Sequence, residues 1–380
     1  MKIRKIICCL LAATTLSLVA FTGCNNQEVE QSSQSDNSTS KVEVSQPSEN
    51  LSSTESLQSE ESSEPQTSEN SASNEKITPA VWKVTDENGN YIYMMGSIHA
   101  ADDAVNNMPD YFENAFKECT ALAVEADITA VTDDLSQAMD LTKKMMYTDG
   151  TTIKDHISDE TYQKVVKLLT DNNSYMELYD YYMPWVWTSL IDNIVLQKSG
   201  LDANKGVDTV LINRAKKENK KVLEVESVDF QLDLFKGFSD EMQEIMLQSY
   251  TEDGAIEAQV EALNELYDKW KKGTIKAEDV IDDVDESSMT DEEKALNDEY
   301  NKKMLDDRNI GMADKAEEYM QGSETVMFVV GAAHFQGEKG ILKLMEDKGC
   351  TVTQLTAADV SDVSSDESTE SETESYQNAA

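Results

Sequence analysis

The sequence predicts an α/β fold of mixed α+β character: a central sheet from two related β-α-β halves, each with a Gly-x-x-His motif, and a largely helical insertion between them. The first observation is Tyr91-Ile92-Tyr93-Met94-Met95-Gly96-Ser97-Ile98-His99, an apolar strand pattern broken by glycine, with histidine three positions later. The same pattern returns as Thr325-Val326-Met327-Phe328-Val329-Val330-Gly331-Ala332-Ala333-His334. Each copy is followed by a helix pattern and another short strand. A strand that ends at a glycine delivers its next side chains to the carboxyl edge of the sheet, where open α/β sheets hold ligands. The chain has three histidines, and two of them stand in this repeated context.

Element by element, Val81-Trp82-Lys83-Val84 and residues 91–95 flank Asp86-Glu87-Asn88-Gly89-Asn90, which reads as a hairpin. Residues 110–118 read as a helix with Tyr111, Phe112, Ala115 and Phe116 on one side. Ala121-Leu122-Ala123-Val124-Glu125 follows as a buried strand ending in an acid. After His334, a helix over 341–347 stops at Gly349 and leads to a strand over 351–355. Two such units argue for a mainly parallel, helix-covered sheet with right-handed crossovers. Between them, over about 130–320, the pattern is helical. An amphipathic run begins at Ser158, residues 175–201 are rich in aromatics including Trp185 and Trp187, and a short helix spans 207–218. Lys221-Val222-Leu223-Glu224-Val225-Glu226 is another strand closing on an acid. A further helix starts at Ser239, and Thr290-Asp291-Glu292-Glu293 is a capping box. The Met and aromatic stripes read as core packing, and His156, in a polar turn, as a solvated surface histidine.

Composition divides the chain of 380 residues into an export signal (1–23), a Ser/Glu-rich tether (24–76), a folded domain (77–358) and an acidic tail (359–380). The tether and tail bury too little apolar surface to offset the entropy of ordering. Lys2, Arg4 and Lys5 precede an apolar run that ends in Phe21-Thr22-Gly23-Cys24, as in an export signal. The net charge of −42 points away from nucleic acid. Asp282, Asp283 and Asp285 lack the glycine and closing glutamate of a helix–loop–helix calcium loop. Cys119 and Cys350 each follow a helix and precede a strand, and read as small buried hydrophobes; the exported setting also allows a disulfide.

Four polar side chains fall at or just past strand ends: His99, Glu125, Glu226 and His334. If those strands share a sheet and a direction, the four converge on one rim. Two imidazoles and a carboxylate are a common donor set for a hydrolytic divalent metal, with the remaining carboxylate free to take a proton from water. Against that stands a plain structural role: strand-end acids pair with basic residues, and histidines satisfy loop carbonyls. Ser97 as a nucleophile with a histidine base is a further option. Competing motifs are absent: there is no His-Glu-x-x-His, no Gly-x-Ser-x-Gly and no Cys-x-x-Cys.

Gly96-Ser97-Ile98-His99 and Gly331-Ala332-Ala333-His334 resemble the two Gly-x-x-His motifs of the TraB/GumN family, whose animal relatives are the Tiki proteases. Similar, too, are Ala123-Val124-Glu125, Gly206-Val207-Asp208, Val225-Glu226-Ser227 and Arg308-Asn309. The resemblance implies an α/β fold of two related halves. Through the Tiki branch it implies a metal-dependent peptidase supported by manganese or cobalt, zinc being the other ion that suits such donors. It would make His99 and His334 metal ligands, Glu125 a ligand or base, and Arg308 a substrate-carboxylate binder or a brace. Ser97 stands where threonine is usual. Phe21-Thr22-Gly23-Cys24 resembles the bacterial lipobox, which implies acylation of Cys24 and a domain tethered to the outer face of the cell membrane; simple secretion with an unmodified Cys24 is the alternative. The function expected is hydrolysis of peptides, with capture of a peptide or small solute without chemistry as the alternative.

Overall fold

The computed structural model describes residues 76–127, 135–280 and 289–360. The leader, Cys24, the tether through residue 75, Asp282, Asp283, Asp285 and the tail beyond residue 360 lie outside the described residues.

Six strands form one sheet. They are β1 (Val81–Thr85), β2 (Tyr91–Ser97), β3 (Ala121–Val124), β4 (Lys221–Glu224), β5 (Val326–Gly331) and β6 (Thr351–Gln354), in the order β4-β3-β5-β2-β1-β6. The predicted hairpin joins β1 to β2, its turn held by Asp86, whose carboxylate accepts the Asn88 and Asn90 N–H groups. β2, β5, β3 and β4 are mutually parallel, while β1 runs antiparallel to both β2 and β6. β1 alone therefore opposes the common direction.

The two halves interleave. β5 runs between β2 and β3, and β2 and β1 run between β5 and β6. Residue character explains the order: the first five residues of β5 are buried on both faces, so it belongs at the centre of a helix-covered sheet. β4 and β6 carry exposed polar residues and close the two edges.

The helices are α1 (Asp110–Glu118), α2 (Leu135–Lys144), α3 (Asp159–Asp171), α4 (Pro184–Ser199), α5 (Val207–Lys217), α6 (Val228–Lys236), α7 (Asp240–Gln248), α8 (Ala255–Lys271), α9 (Ala277–Val280), α10 (Asp291–Asn301), α11 (Asp307–Met320) and α12 (Ile341–Asp347). Met95, Val124 and Val329 of the sheet share a core with Phe112 of α1, Leu211 of α5 and Trp270 of α8. On the other face Met94, Ala123 and Phe328 pack on Ala313 of α11 and Met345 of α12. A third core belongs to the helical insertion and centres on α4, most of which is buried around its whole circumference. Among the described residues no helix is long and apolar enough to cross a membrane.

Ser158 and Ser239 cap α3 and α7, and the capping box at Thr290 and Glu293 is formed in both directions. Cys119 is buried and Cys350 half-buried, both free thiols packed on opposite faces of the sheet, as the small-hydrophobe reading expects and the disulfide does not. One expectation differs. His156 is not simply solvated: it lies between Thr151 and Asp240 and stacks on the Tyr147 ring at 4.2 Å.

Candidate functional site

Parallel pairing brings the strand ends to one edge. Ser97 of β2 is registered with Gly331 of β5, and Val124 of β3 with Val329 of β5. β4 lies beyond β3, and the pairing continues past both strands, with the Val225 and Glu226 N–H groups donating to the Val124 and Glu125 carbonyls. His99, Glu125, Glu226 and His334 thus all leave the sheet at the same edge. His334 sits in a short 3-10 turn, Ala332–Phe335, directly after β5. Arg308 arrives from the first turn of α11, after a π-helical stretch Lys302–Asp306 that interrupts the run from α10.

Gly331 is the centre of the arrangement. A methyl group on its Cα would stand 3.1 Å from Glu125 Oε1, 3.5 Å from His334 Cδ2 and 3.9 Å from His99 Nε2. The carboxylate and both imidazoles therefore border one small space that glycine leaves open. Each ring is held by its other nitrogen. His99 Nδ1 lies 2.7 Å from Asp208 Oδ2, in the first turn of α5. The approach of α5 depends on Gly206, because a side chain there would collide with the His99 carbonyl. His334 Nδ1 lies 2.6 Å from Asn309 Oδ1, and the Asn309 amide donates to the Lys339 carbonyl at 3.0 Å. That second bond identifies Oδ1 as the acceptor, so His334 carries its proton on Nδ1 and leaves Nε2 with a lone pair.

Beneath the rings lies a buried bridge. Arg308 donates from Nε and Nη2 to the two Glu226 oxygens, each at 2.8 Å, and from Nη2 to Glu125 Oε2 at 2.7 Å. Its Nη1 donates to the Met304 carbonyl at 3.2 Å. Gln231 Nε2 donates to Glu125 Oε2 at 3.1 Å and Glu226 Oε2 at 3.2 Å. Glu125 Oε1 accepts the Gly331 N–H at 2.6 Å and lies 3.7 Å from His334 Nε2. Only about 4% of the Arg308 side chain is exposed, so its fork is spent on the two glutamates. It ties Glu125 to Glu226.

The charge states follow. Burial disfavours ionised Glu125, but Arg308, the two imidazoles and the Gly331 N–H outweigh it and bring its pKa down to about 2. Burial also disfavours a charged His99, yet the Asp208 carboxylate, with Glu125 behind it, raises its pKa to about 9. Burial and the Arg308 charge lower His334 to about 3, so that ring is neutral. Three enclosed carboxyl groups, those of Asp208, Glu125 and Glu226, face two cationic groups, the Arg308 guanidinium and the His99 ring.

His99, His334 and Glu125 are donor types that a divalent ion takes. His99 Nε2 and His334 Cδ2 face Gly331, His334 Nε2 lies 3.7 Å from Glu125 Oε1, and both Nδ1 atoms are fixed by a carboxylate or an amide oxygen, the bracing that metal-bound imidazoles need. As placed, no group of three His, Cys, Asp or Glu side chains among the described residues could hold a metal ion. Asp208, Asn309 and Gln231 are the members that the sequence reading did not assign. The first two sit inside motifs it singled out, beside Gly206 and Arg308. Gln231 is one residue in an amphipathic helix, and nothing in the sequence marks it.

A largely parallel sheet with two Gly-x-x-His turns side by side at its carboxyl edge, resting on a Glu–Arg–Glu bridge, defines an α/β protein of two interleaved halves. The model of the TraB/PrgY/gumN family matches residues 80–354, and the chain belongs to that family. It is 22% identical over 273 residues to the uncharacterized protein YbaP of Escherichia coli K12, a match covering 72% of this chain and 94% of that one. The YbaP of Shigella flexneri matches with the same identity and coverage. No solved structure matches.

Proposed function

We propose that this protein is a divalent-metal-dependent hydrolase of peptides. The observation that carries the reading is the pair of imidazoles, braced through Nδ1, that meet Glu125 Oε1 around Gly331, with His334 Nε2 3.7 Å from that oxygen. In this reading His99 and His334 would hold the ion through Nε2, and the Glu125 carboxylate beside them is the base for water at the site. A bound ion of manganese, cobalt or zinc would lower the pKa of water at the site toward about 7 and polarise the scissile carbonyl. Glu125 accepts a hydrogen bond from that water. Glu226 acts one step back, fixing Arg308, which in turn fixes Glu125.

A second reading, capture of a peptide or small solute without chemistry, is favoured by the full commitment of Glu125 Oε2 and Glu226 to Arg308 and Gln231. The export signal and the lipobox-like segment support a location outside the cytoplasm, anchored to the membrane by an acylated Cys24. Mass spectrometry of membrane-fraction protein tests the anchor, and an unlipidated mature N-terminus refutes it.

Elemental analysis and a peptide-library digest with manganese, cobalt or zinc test the enzyme. Expected are metal and cleavage in the parent, and neither in His99→Ala or His334→Ala. Peptide binding without cleavage under all three metals would leave the capture reading.

A further inference from the structure

We infer that the Ser97 hydroxyl positions the attacking water, a role that rests on the hydrolase reading above. Ser97 is 2% exposed, and its Oγ has no hydrogen-bond partner among the described residues. A buried hydroxyl without a partner costs about 1–3 kcal/mol and is uncommon in a well-packed sheet. Its neighbours show what it faces. Along β2, side chains alternate between the faces, so Ser97 turns to the same side as Tyr93 and Met95, which share a core with Met327 and Val329 of β5. Gly331 continues that side of β5 and is registered directly with Ser97. The orphaned hydroxyl therefore lies one strand spacing, about 4.8 Å, across from the glycine whose open side is bordered by Glu125 Oε1, His334 and His99 Nε2.

A water there has two protons to place. As its oxygen bonds to the scissile carbonyl carbon, one proton passes to the Glu125 carboxylate and on to the nitrogen of the breaking C–N bond, while the other stays on the oxygen and is donated to Ser97 Oγ as a hydrogen bond. Ser97 forms no covalent bond and loses no proton in this arrangement. As a nucleophile it would need a base at its hydroxyl, and its Oγ makes no hydrogen bond to an imidazole or a carboxylate. Threonine presents the same hydroxyl from the same Cβ and is expected to substitute for serine.

The test compares Ser97→Ala, Ser97→Thr and His334→Ala in the full chain, with manganese and a peptide selected by library digest. Expected for Ser97→Ala is a fall in kcat of about tenfold, the worth of one ordinary hydrogen bond, with KM within about twofold. The same variant is expected to melt no lower than the parent, because an unpartnered hydroxyl adds nothing to stability, and to bind manganese as the parent does. Ser97→Thr restores turnover. Parental turnover in Ser97→Ala beside an inactive His334→Ala overturns the role of Ser97 alone. A lower melting temperature in Ser97→Ala without rescue by threonine overturns it too, by making the hydroxyl structural. An active His334→Ala, or a parent that cleaves nothing, overturns the hydrolase reading beneath it.

Discussion

Asp208 and Asn309 hold equivalent nitrogens of the two motif histidines, but only Asp208 does so with a charge. Removing such a brace from a metal-bound imidazole weakens ion affinity by about 10–100-fold. Asp208→Ala is expected to do so in a manganese titration, and unchanged affinity would remove His99 from the donor set. Gly331→Ala is a sharper probe. Its φ of −49° suits alanine, so the backbone is not strained, yet the methyl would stand 3.1 Å from Glu125 Oε1. A folded variant that no longer takes up the ion is the expected result; uptake like the parent's would show that the space is not used. Arg308→Met leaves two glutamates buried without their partner, and removal of one member of such a cluster costs about 3–5 kcal/mol. Urea unfolding reads that loss, and a stability within about 1 kcal/mol of the parent would contradict the bracing role.

At the scale of elements, α4 carries a prediction of its own. Asp192 is buried in the helical core, with one oxygen 2.5 Å from the Tyr250 hydroxyl and the other without a partner among the described residues. Burial, only partly offset by Tyr250, raises its pKa from 3.8 to about 7. The native state therefore keeps this proton over a range in which the unfolded chain has released it. The stability that follows is whole below about pH 4 and declines up to about pH 7, by about 1.4 kcal/mol per pH unit at the steepest. Asp192→Asn removes that decline, so the variant's melting temperature should gain on the parent's between pH 5 and pH 8. A constant difference would refute the shift. Elements differ in how openly their sequence declares them. The helices at 110–118 and 341–347 are readable to the residue, because apolar spacing, a preceding proline or glycine and a stopping residue agree. The order of strands is not, since no local pattern records that β5 inserts between β2 and β3. Nor is the Arg308 bridge: an arginine in a polar helical turn looks solvated until two strand-end acids arrive from 183 and 82 residues away. The convergence of His99 and His334 is legible only because the same strand–glycine–histidine pattern is written twice.

For the whole molecule, the tether and the folded domain make separable contributions. Deletion of residues 25–76 is expected to leave cleavage of small peptides within about twofold of the full chain, because every side chain of the candidate site lies between residues 97 and 334. A large loss in a peptide assay would tie the segment to the site. The folded domain has no such modularity. β2 and β3 are made early, yet the strand that separates them comes some two hundred residues later and brings both His334 and the glycine it follows. No fragment that stops short of the last strands can hold both rings, so a nascent or clipped chain is inert by construction, and competence arrives only when the late strand threads into place.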